Sequence, residues 1–304
     1  MANIEFYKKN LGISNVDELC KALTDTLIET NYTYDFFVNW DKAVNNRDIF
    51  KYELALLKSI KGSSSPETDF TSLLEKYPEV VKVIPVLLAC REGILKVIDS
   101  IEDLLQHKTF NFNKSHYKPS EIKEIVRFAR KTGLLKVLCE MDSATDYLLG
   151  VEVGLDTNAR KNRSGIFLEK MVTELLENLA SRNSNLTFVA QKTFSYVEAR
   201  HGIEIPPTLK DRKFDYVVIN KGVATNIEVN FYGGTGSKPS EIVNSYINRG
   251  EVLSSAGWKF VWLTDGQGWK RMQRPFHLGV NGISYVINAH FLRQGLLERI
   301  IYNY

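Results

Sequence analysis

The sequence predicts an α/β chain whose first half is mostly α-helical and whose second half runs in the order α-β-β-β-α-β. Three observations carry this. Before residue 147 apolar residues recur at helical spacing, with no strongly alternating run. From Phe214 to Tyr232, two runs rich in Val, Ile, Tyr and Phe flank the turn residues Asn220-Lys221-Gly222, which is a hairpin signal. Behind the hairpin a helix and then an apolar strand, Lys259 to Thr264, follow.

At 304 residues, 44% hydrophobic and 25% charged, the chain has the composition of an ordinary globular protein with room for two domains. Its longest apolar run, Val83 to Cys90, is too short to span a bilayer, and no charged-then-apolar signal pattern opens the sequence. A cytoplasmic location is expected. Cys20, Cys90 and Cys139 are odd in number and widely spaced, which supports neither a disulfide framework nor a zinc knuckle.

Taken in order, Leu19, Leu23 and Leu27 define a helix over Val16 to Thr30, with Ser14 or Asn15 as its cap. Further helices are expected from Tyr34 to Ile60, then a loop at Gly62 to Pro66 and a break near Pro78 and Pro85. Ser120 is the expected cap of a helix running to Lys131, and no strand is expected before residue 150. From Asp156 to Gly165 the text is polar, and Arg160, Lys161 and Arg163 make it a candidate phosphate-gripping loop or a solvated linker. A helix carrying the stripe Leu168, Met171, Val172, Leu175, Leu176 and Leu179 follows, with Glu169 at its border. Strands are expected at Leu186 to Phe194 and across the hairpin, and Pro239 opens a helix reaching about Ser255. The Gly-rich stretch before it does not meet the GxxxxGK[ST] spacing, so an NTPase is rejected. Lys270, Arg271 and Arg274 form a second basic cluster after Trp269.

Charge is divided unevenly. Residues 1 to 150 hold 20 basic and 22 acidic side chains, whereas residues 151 to 304 hold 19 and 14. The second half therefore leans basic, which favours nucleic-acid contact there.

The hairpin carries the chemistry. With a two-residue loop, Asn220 pairs with Val223 and Asp215 falls opposite Glu228, their Cβ atoms about 4.5 to 5.5 Å apart, a repulsive placement unless a cation lies between them. Asn230 then shares the face of Glu228. A three-residue loop would slip the register and send the acids to opposite faces. Two solvated acids on an exposed hairpin is the bland alternative.

An acid on the first arm and Glu-x-polar on the second, between two helices, resembles the PD-(D/E)xK nuclease core. Three stretches narrow the likeness: Gly150 to Gly165, Glu228 to Lys238 (E-V-N-F-Y-G-G-T-G-S-K) and Trp258 to Trp269 (W-K-F-V-W-L-T-D-G-Q-G-W). Together they resemble the DpnII/MboI family of type II restriction endonucleases. What the resemblance implies is an endonuclease that requires magnesium (Mg2+) and cuts double-stranded DNA before the G of unmethylated GATC. It would act as a homodimer on DNA, beside a cognate adenine methyltransferase that protects the host. On this reading residues 147–304 are a PD-(D/E)xK-like catalytic domain and residues 1–146 a helical region for DNA recognition or dimerisation.

Carried over by position, Asp215 and Glu228 are the metal-binding acids, the carbonyl of Val229 completes the protein's ligands, and Glu169 is the nearby helical acid. Asn230 stands where the superfamily has lysine; an amide offers no positive charge, though it can orient a water. Lys192, Lys213 and Lys238 are the candidates to supply the missing charge, and one metal or two stays open. At position 230 the expected order of activity is Asn230→Lys above Asn230→Asp. DNA contacts are expected from Arg160, Lys161, Arg163, Lys192, Arg200, Lys238, Lys270 and Arg271, with Tyr196, Arg200, Gln267 and Arg271 as candidate base readers. His201 and His277 read as turn or packing residues. A non-catalytic DNA-binding module and a structure-specific repair nuclease are the competing functions.

Overall fold

A computed structural model describes residues 1–99, 107–234 and 238–303, with the side chains of 158–165 set aside. The chain divides into two compact units, Tyr34–Arg160 and the pair of segments Met1–Thr33 and Lys161–Tyr304. The expected boundary at 146/147 is thus replaced by two crossings, because the first 33 residues belong with the second half of the chain. Among the described residues no helix is long and apolar enough to cross a membrane.

In the unit Tyr34–Arg160, helices Pro66–Lys76 and Pro119–Lys131 enclose a core around Phe70, Leu74, Phe112, Ile125 and Ala129. Pro78 ends the first of these by constraining the residue before it, and Pro119 opens the second at its first position, so Ser120 lies inside the helix and not at its cap. The unit also holds two strands that the sequence did not announce. Strand β1 (Ile94–Ile98) pairs antiparallel with β2 (His107–Asn111). Four of the five residues of β1 are exposed, so its sequence lacks the alternation that a half-buried strand displays.

A single helix, Ala144–Arg182, replaces the expected polar loop between Asp156 and Gly165. Its buried positions keep a four-residue spacing, Leu148, Glu152 and Asp156 early and Leu168, Val172 and Leu176 late. The early stripe hides behind two carboxylates. Glu152 is buried because it pairs with Arg91 at 2.6 Å and accepts from Asn46 Nδ2 at 2.7 Å, and Asp156 accepts the N–H of Asn39 at 2.9 Å.

The other unit is built on a five-stranded mixed sheet in spatial order β3 (Leu186–Ala190), β4 (Tyr216–Asn220), β5 (Val223–Phe231), β6 (Lys259–Asp265), β7 (Tyr285–Ile287). The first two pairings are antiparallel and the last two parallel, and helices Pro239–Ser255 and Gln273–Gly282 make the crossovers. The β4–β5 turn is two residues long, with φ of 48° at Lys221 and 79° at Gly222, the left-handed pair that matches strand twist. It sets Asn220 against Val223 and Tyr216 against Ile227, the two-residue register. One sheet face carries Phe260 and Trp262, which meet Tyr246 and Phe276 of the crossover helices. There Gly279 lets its helix close on the sheet, since a Cβ would lie 2.4 Å from the Trp262 ring. The other face carries Tyr216, whose hydroxyl reaches Thr173 at 2.8 Å and donates to the carbonyl of Glu169 at 2.9 Å on helix Ala144–Arg182.

Strand β3 stops at Ala190, short of the expected Phe194, because Gln191 turns to a φ of 54° and Phe194 begins a helix, Phe194–His201. The N-terminal segment is stitched to the far edge of the sheet. Ala2 N donates to Asn281 O, and the Tyr7 hydroxyl donates to the carbonyl of Val286 and accepts its N–H.

Candidate active site

The hairpin register places Asp215, one residue before β4, across from Glu228 on β5, with both side chains on the face of the sheet that helix Pro239–Ser255 covers. Asp215 Oδ2 accepts the backbone N–H of Val229 at 2.8 Å, and Oδ1 accepts from Gln191 Nε2 at 3.2 Å. Because the N–H and C=O of one strand residue point to the same side, the carbonyl of Val229 is turned toward Asp215 as well.

Glu228 is 5% exposed. Its Oε1 lies 2.5 Å from Nη1 of Arg249 and accepts from Asn226 Nδ2 at 3.2 Å; among the described residues no hydrogen bond falls on Oε2. Burial pushes the Glu228 carboxyl up to about 7, the charge of Asp215 adds to this, and Arg249 and Asn226 oppose it. Asp215 is raised chiefly by burial and held back by Val229 N–H, Gln191 and Arg249. Glu169 is raised by burial first and by the charge of Asp215 second.

Two carboxylates and a turned carbonyl offer the oxygen donors that a hard divalent cation takes, and the open Oε2 of Glu228 suits that use. Among the described residues no cluster of three or more His, Cys, Asp and Glu forms a denser metal site. The donor set fits a hard divalent cation, with water and substrate oxygens left to complete the shell.

Asn230 shares the face of Glu228, yet its amide has another occupation. Its Oδ1 accepts from Trp262 Nε1 at 3.2 Å and Thr264 Oγ1 at 2.5 Å, and its side chain bonds the Tyr246 hydroxyl. Among the described residues none of the lysines expected to supply a charge makes an ion pair with Asp215 or Glu228. Lys192 Nζ sits 5.8 Å above the Tyr196 ring, Lys238 pairs with Glu241 at 3.2 Å, and Lys213 is exposed beside the Thr193 bridge. The cation that acts on both Asp215 and Glu228 is Arg249, which the sequence reading missed. A buried arginine inside a helix predicted only from its proline and length gave no local signal.

The side chains of Arg160, Lys161 and Arg163 lie outside the described residues. Arg200 is in the last turn of helix Phe194–His201, and Lys270 and Arg271 are exposed on the turn Gln267–Arg271, whose Trp269 is buried beneath. Gln267 donates to the carbonyl of Leu27 at 2.9 Å, an occupation that competes with base reading. His277 is exposed, with its Nε2 3.0 Å from Asp17 Oδ1.

Fold and site together define a mixed α/β protein with a pair of acids facing each other on a sheet hairpin. Residues 20–299 match the family described as DpnII restriction endonuclease, and the chain belongs to that family of site-specific deoxyribonucleases. It is 35% identical to the type II restriction enzyme MjaIII of Methanocaldococcus jannaschii over 92% of this chain and 98% of the relative. It is 31% identical to the type II restriction enzyme DpnII of Streptococcus pneumoniae, over 94% and 98%, and 29% identical to MboI of Moraxella bovis, over 91% and 94%. No solved structure matches the chain.

Proposed function

We propose that this chain hydrolyses double-stranded DNA at unmethylated GATC before the G, with magnesium, through Asp215, Glu228 and the carbonyl of Val229 on a PD-(D/E)xK-like core. The observation that carries the reading is the register that sets Asp215 against Glu228 with Val229 N–H bound to Asp215. A bound divalent cation supplies a water of lowered pKa and offsets charge on the scissile phosphate. Asp215 and Glu228 would hold it, Glu169 adds negative charge at the margin, and Lys192, Arg200, Lys238, Lys270 and Arg271 would meet phosphates along the strand ends. Arg160, Lys161 and Arg163 are proposed for the same task. The GATC target is two-fold symmetric, so a homodimer on DNA would present one site to each strand. A cognate adenine methyltransferase would protect the host sites.

The test is digestion of unmethylated plasmid with magnesium, followed by sequencing of the ends. Discrete fragments ending in 5′-GATC are expected. No cutting would return the chain to a DNA-binding role, and cutting directed by DNA structure instead of sequence would mark a repair nuclease.

A further inference from the structure

Among the described residues the ion pair on the hairpin acid Glu228 comes from an arginine and not from a lysine. Arg249 lies on helix Pro239–Ser255, is 8% exposed, and sets Nη1 2.5 Å from Glu228 Oε1. Its guanidinium is 5.6 Å from the centre of the Tyr246 ring, one helical turn earlier, and Tyr246 is bonded in turn to Asn230. The side chain that would occupy the usual place of the positive charge is therefore tied into the same cluster that steadies the arginine. A buried guanidinium is costly unless paired, and the carboxylate it pairs with is one proposed to hold metal.

We propose that Arg249 is the positioning cation of this site: seated on Oε1, it orients the Glu228 carboxylate and balances its charge while Oε2 stays available to a divalent cation, supplying from a helix the positive charge that position 230 lacks. The inference rests on the reading of Asp215 and Glu228 as the nuclease site. Lys192 and Lys238 are held against Tyr196 and Glu241, whereas Arg249 makes an ion pair with Glu228 and its charge also acts on Asp215. Asn226 Nδ2 donates to the same oxygen and also to the carbonyl of Tyr216 at 3.0 Å, so the hydrogen-bond donor beside the Arg249 ion pair is itself anchored.

The experiment compares wild type, Glu228→Gln, Arg249→Met, Arg249→Gln and Arg249→Lys in the full chain. It reads Mn2+ affinity by calorimetry without DNA, plasmid cutting across magnesium concentration, and folding by circular dichroism. Arg249→Met and Arg249→Gln are expected to bind Mn2+ about 10- to 100-fold more weakly, as loss of an outer-sphere partner does, with cutting recovering as magnesium is raised. Arg249→Lys should stay within about tenfold of wild type on both measures. Wild-type metal affinity in a folded Arg249→Met or Arg249→Gln overturns the proposal, and so does an Arg249→Lys as impaired as the uncharged variants. Should only Arg249→Lys fold, its metal affinity decides alone, a loss beyond tenfold counting against the proposal. Glu228→Gln keeps the two levels apart. If it cuts like wild type, the reading of the site has failed; if it is inert while Arg249→Met is unchanged, only the role of Arg249 has.

Discussion

The carboxylate of Asp215 is docked on the backbone N–H of Val229, at 2.8 Å, so the first acid is held by the residue that directly follows the second. The two acids are thus one unit of geometry, and a change at either is felt by both. Asp215→Ala and Glu228→Ala should each lower cutting by about 100-fold or more, the scale on which single groups in an electrostatic site are felt. Binding to GATC DNA in calcium should hold or tighten, because each change removes negative charge facing phosphate. A gel-shift and a timed digest check this, and wild-type cutting in either variant would end the assignment.

The proton affinity of the same pair sets a pH dependence. Glu228 moves from an ordinary 4.5 to about 7 on folding, chiefly through burial, and Asp215 moves in the same direction. Between those values the folded chain holds a proton that the unfolded chain has released, so metal-free stability should fall as pH rises from about 4.5 through 7. At about 1.4 kcal/mol per tenfold change in proton affinity, the Glu228 contribution is about 3 kcal/mol. Metal requires the ionised carboxylates and releases protons on binding, so magnesium should weaken the trend and cutting should decline below pH 7. Urea melts in EDTA at pH 5.5 and 8 measure this; Glu228→Gln should flatten the difference, and greater stability at pH 8 would contradict it.

Much of the site was legible because its signals are local. The turn at Lys221-Gly222 demands two left-handed residues, and counting outward from it places Asp215 against Glu228 without any tertiary knowledge. Arg249 was not legible, since what selects it is the packing of a helix twenty residues downstream onto the strand face. The helix Ala144–Arg182 was not legible as one element because the run from Asp156 to Gly165 is polar; the burial of Glu152 and Asp156 is made tolerable by Arg91, Asn46 and the N–H of Asn39, far away in sequence. The placement of the first 33 residues was hidden for the same reason, being decided by bonds to residues 265 to 288.

Asp265 concentrates those distant bonds. Fully buried, it accepts backbone N–H groups from Ile28 at 2.8 Å, Gly266 at 2.7 Å and Ala289 at 2.9 Å. Asp265→Ala would leave three donors without an acceptor, and a loss of about 3 kcal/mol or more is expected from denaturant melts. Loss within 1 kcal/mol would show that the Asp265 bonds add little to holding the segment ending at Thr33.

Asn230 carries contacts that bear on stability apart from any role in cutting. Lysine there would remove the acceptor that serves Trp262 Nε1 and Thr264 Oγ1, both on buried residues, whereas aspartate keeps an acceptor in place. Asn230→Lys is therefore expected to be less stable than Asn230→Asp, by about 1–3 kcal/mol for the unpaired indole and hydroxyl. Thermal melts of the two variants decide it. A lysine variant as stable as wild type would mean that its ammonium escapes the Trp262 contact and reaches the acids, restoring the expected order.

The last prediction concerns methylation and depends on the proposed GATC specificity. Adenine presents its N6 amino group as a donor in the major groove, and a side chain that accepts from it also fills the space a methyl group would take. Losing such a contact costs about 1–3 kcal/mol per base, and a dimer on the symmetric site would lose it twice on fully methylated DNA. Inhibition by full adenine methylation should therefore be severe and by hemimethylation intermediate. Matched plasmids carrying no, one-strand or both-strand methylation test this in parallel digests at fixed salt, since phosphate contacts make affinity salt-dependent. Equal fragmentation of all three would show that the adenine amino group is not read, and cutting confined to the methylated plasmid would show that the methyl group itself is what the site requires; either result removes the proposed place of this enzyme beside an adenine methyltransferase while leaving the paired-acid site intact.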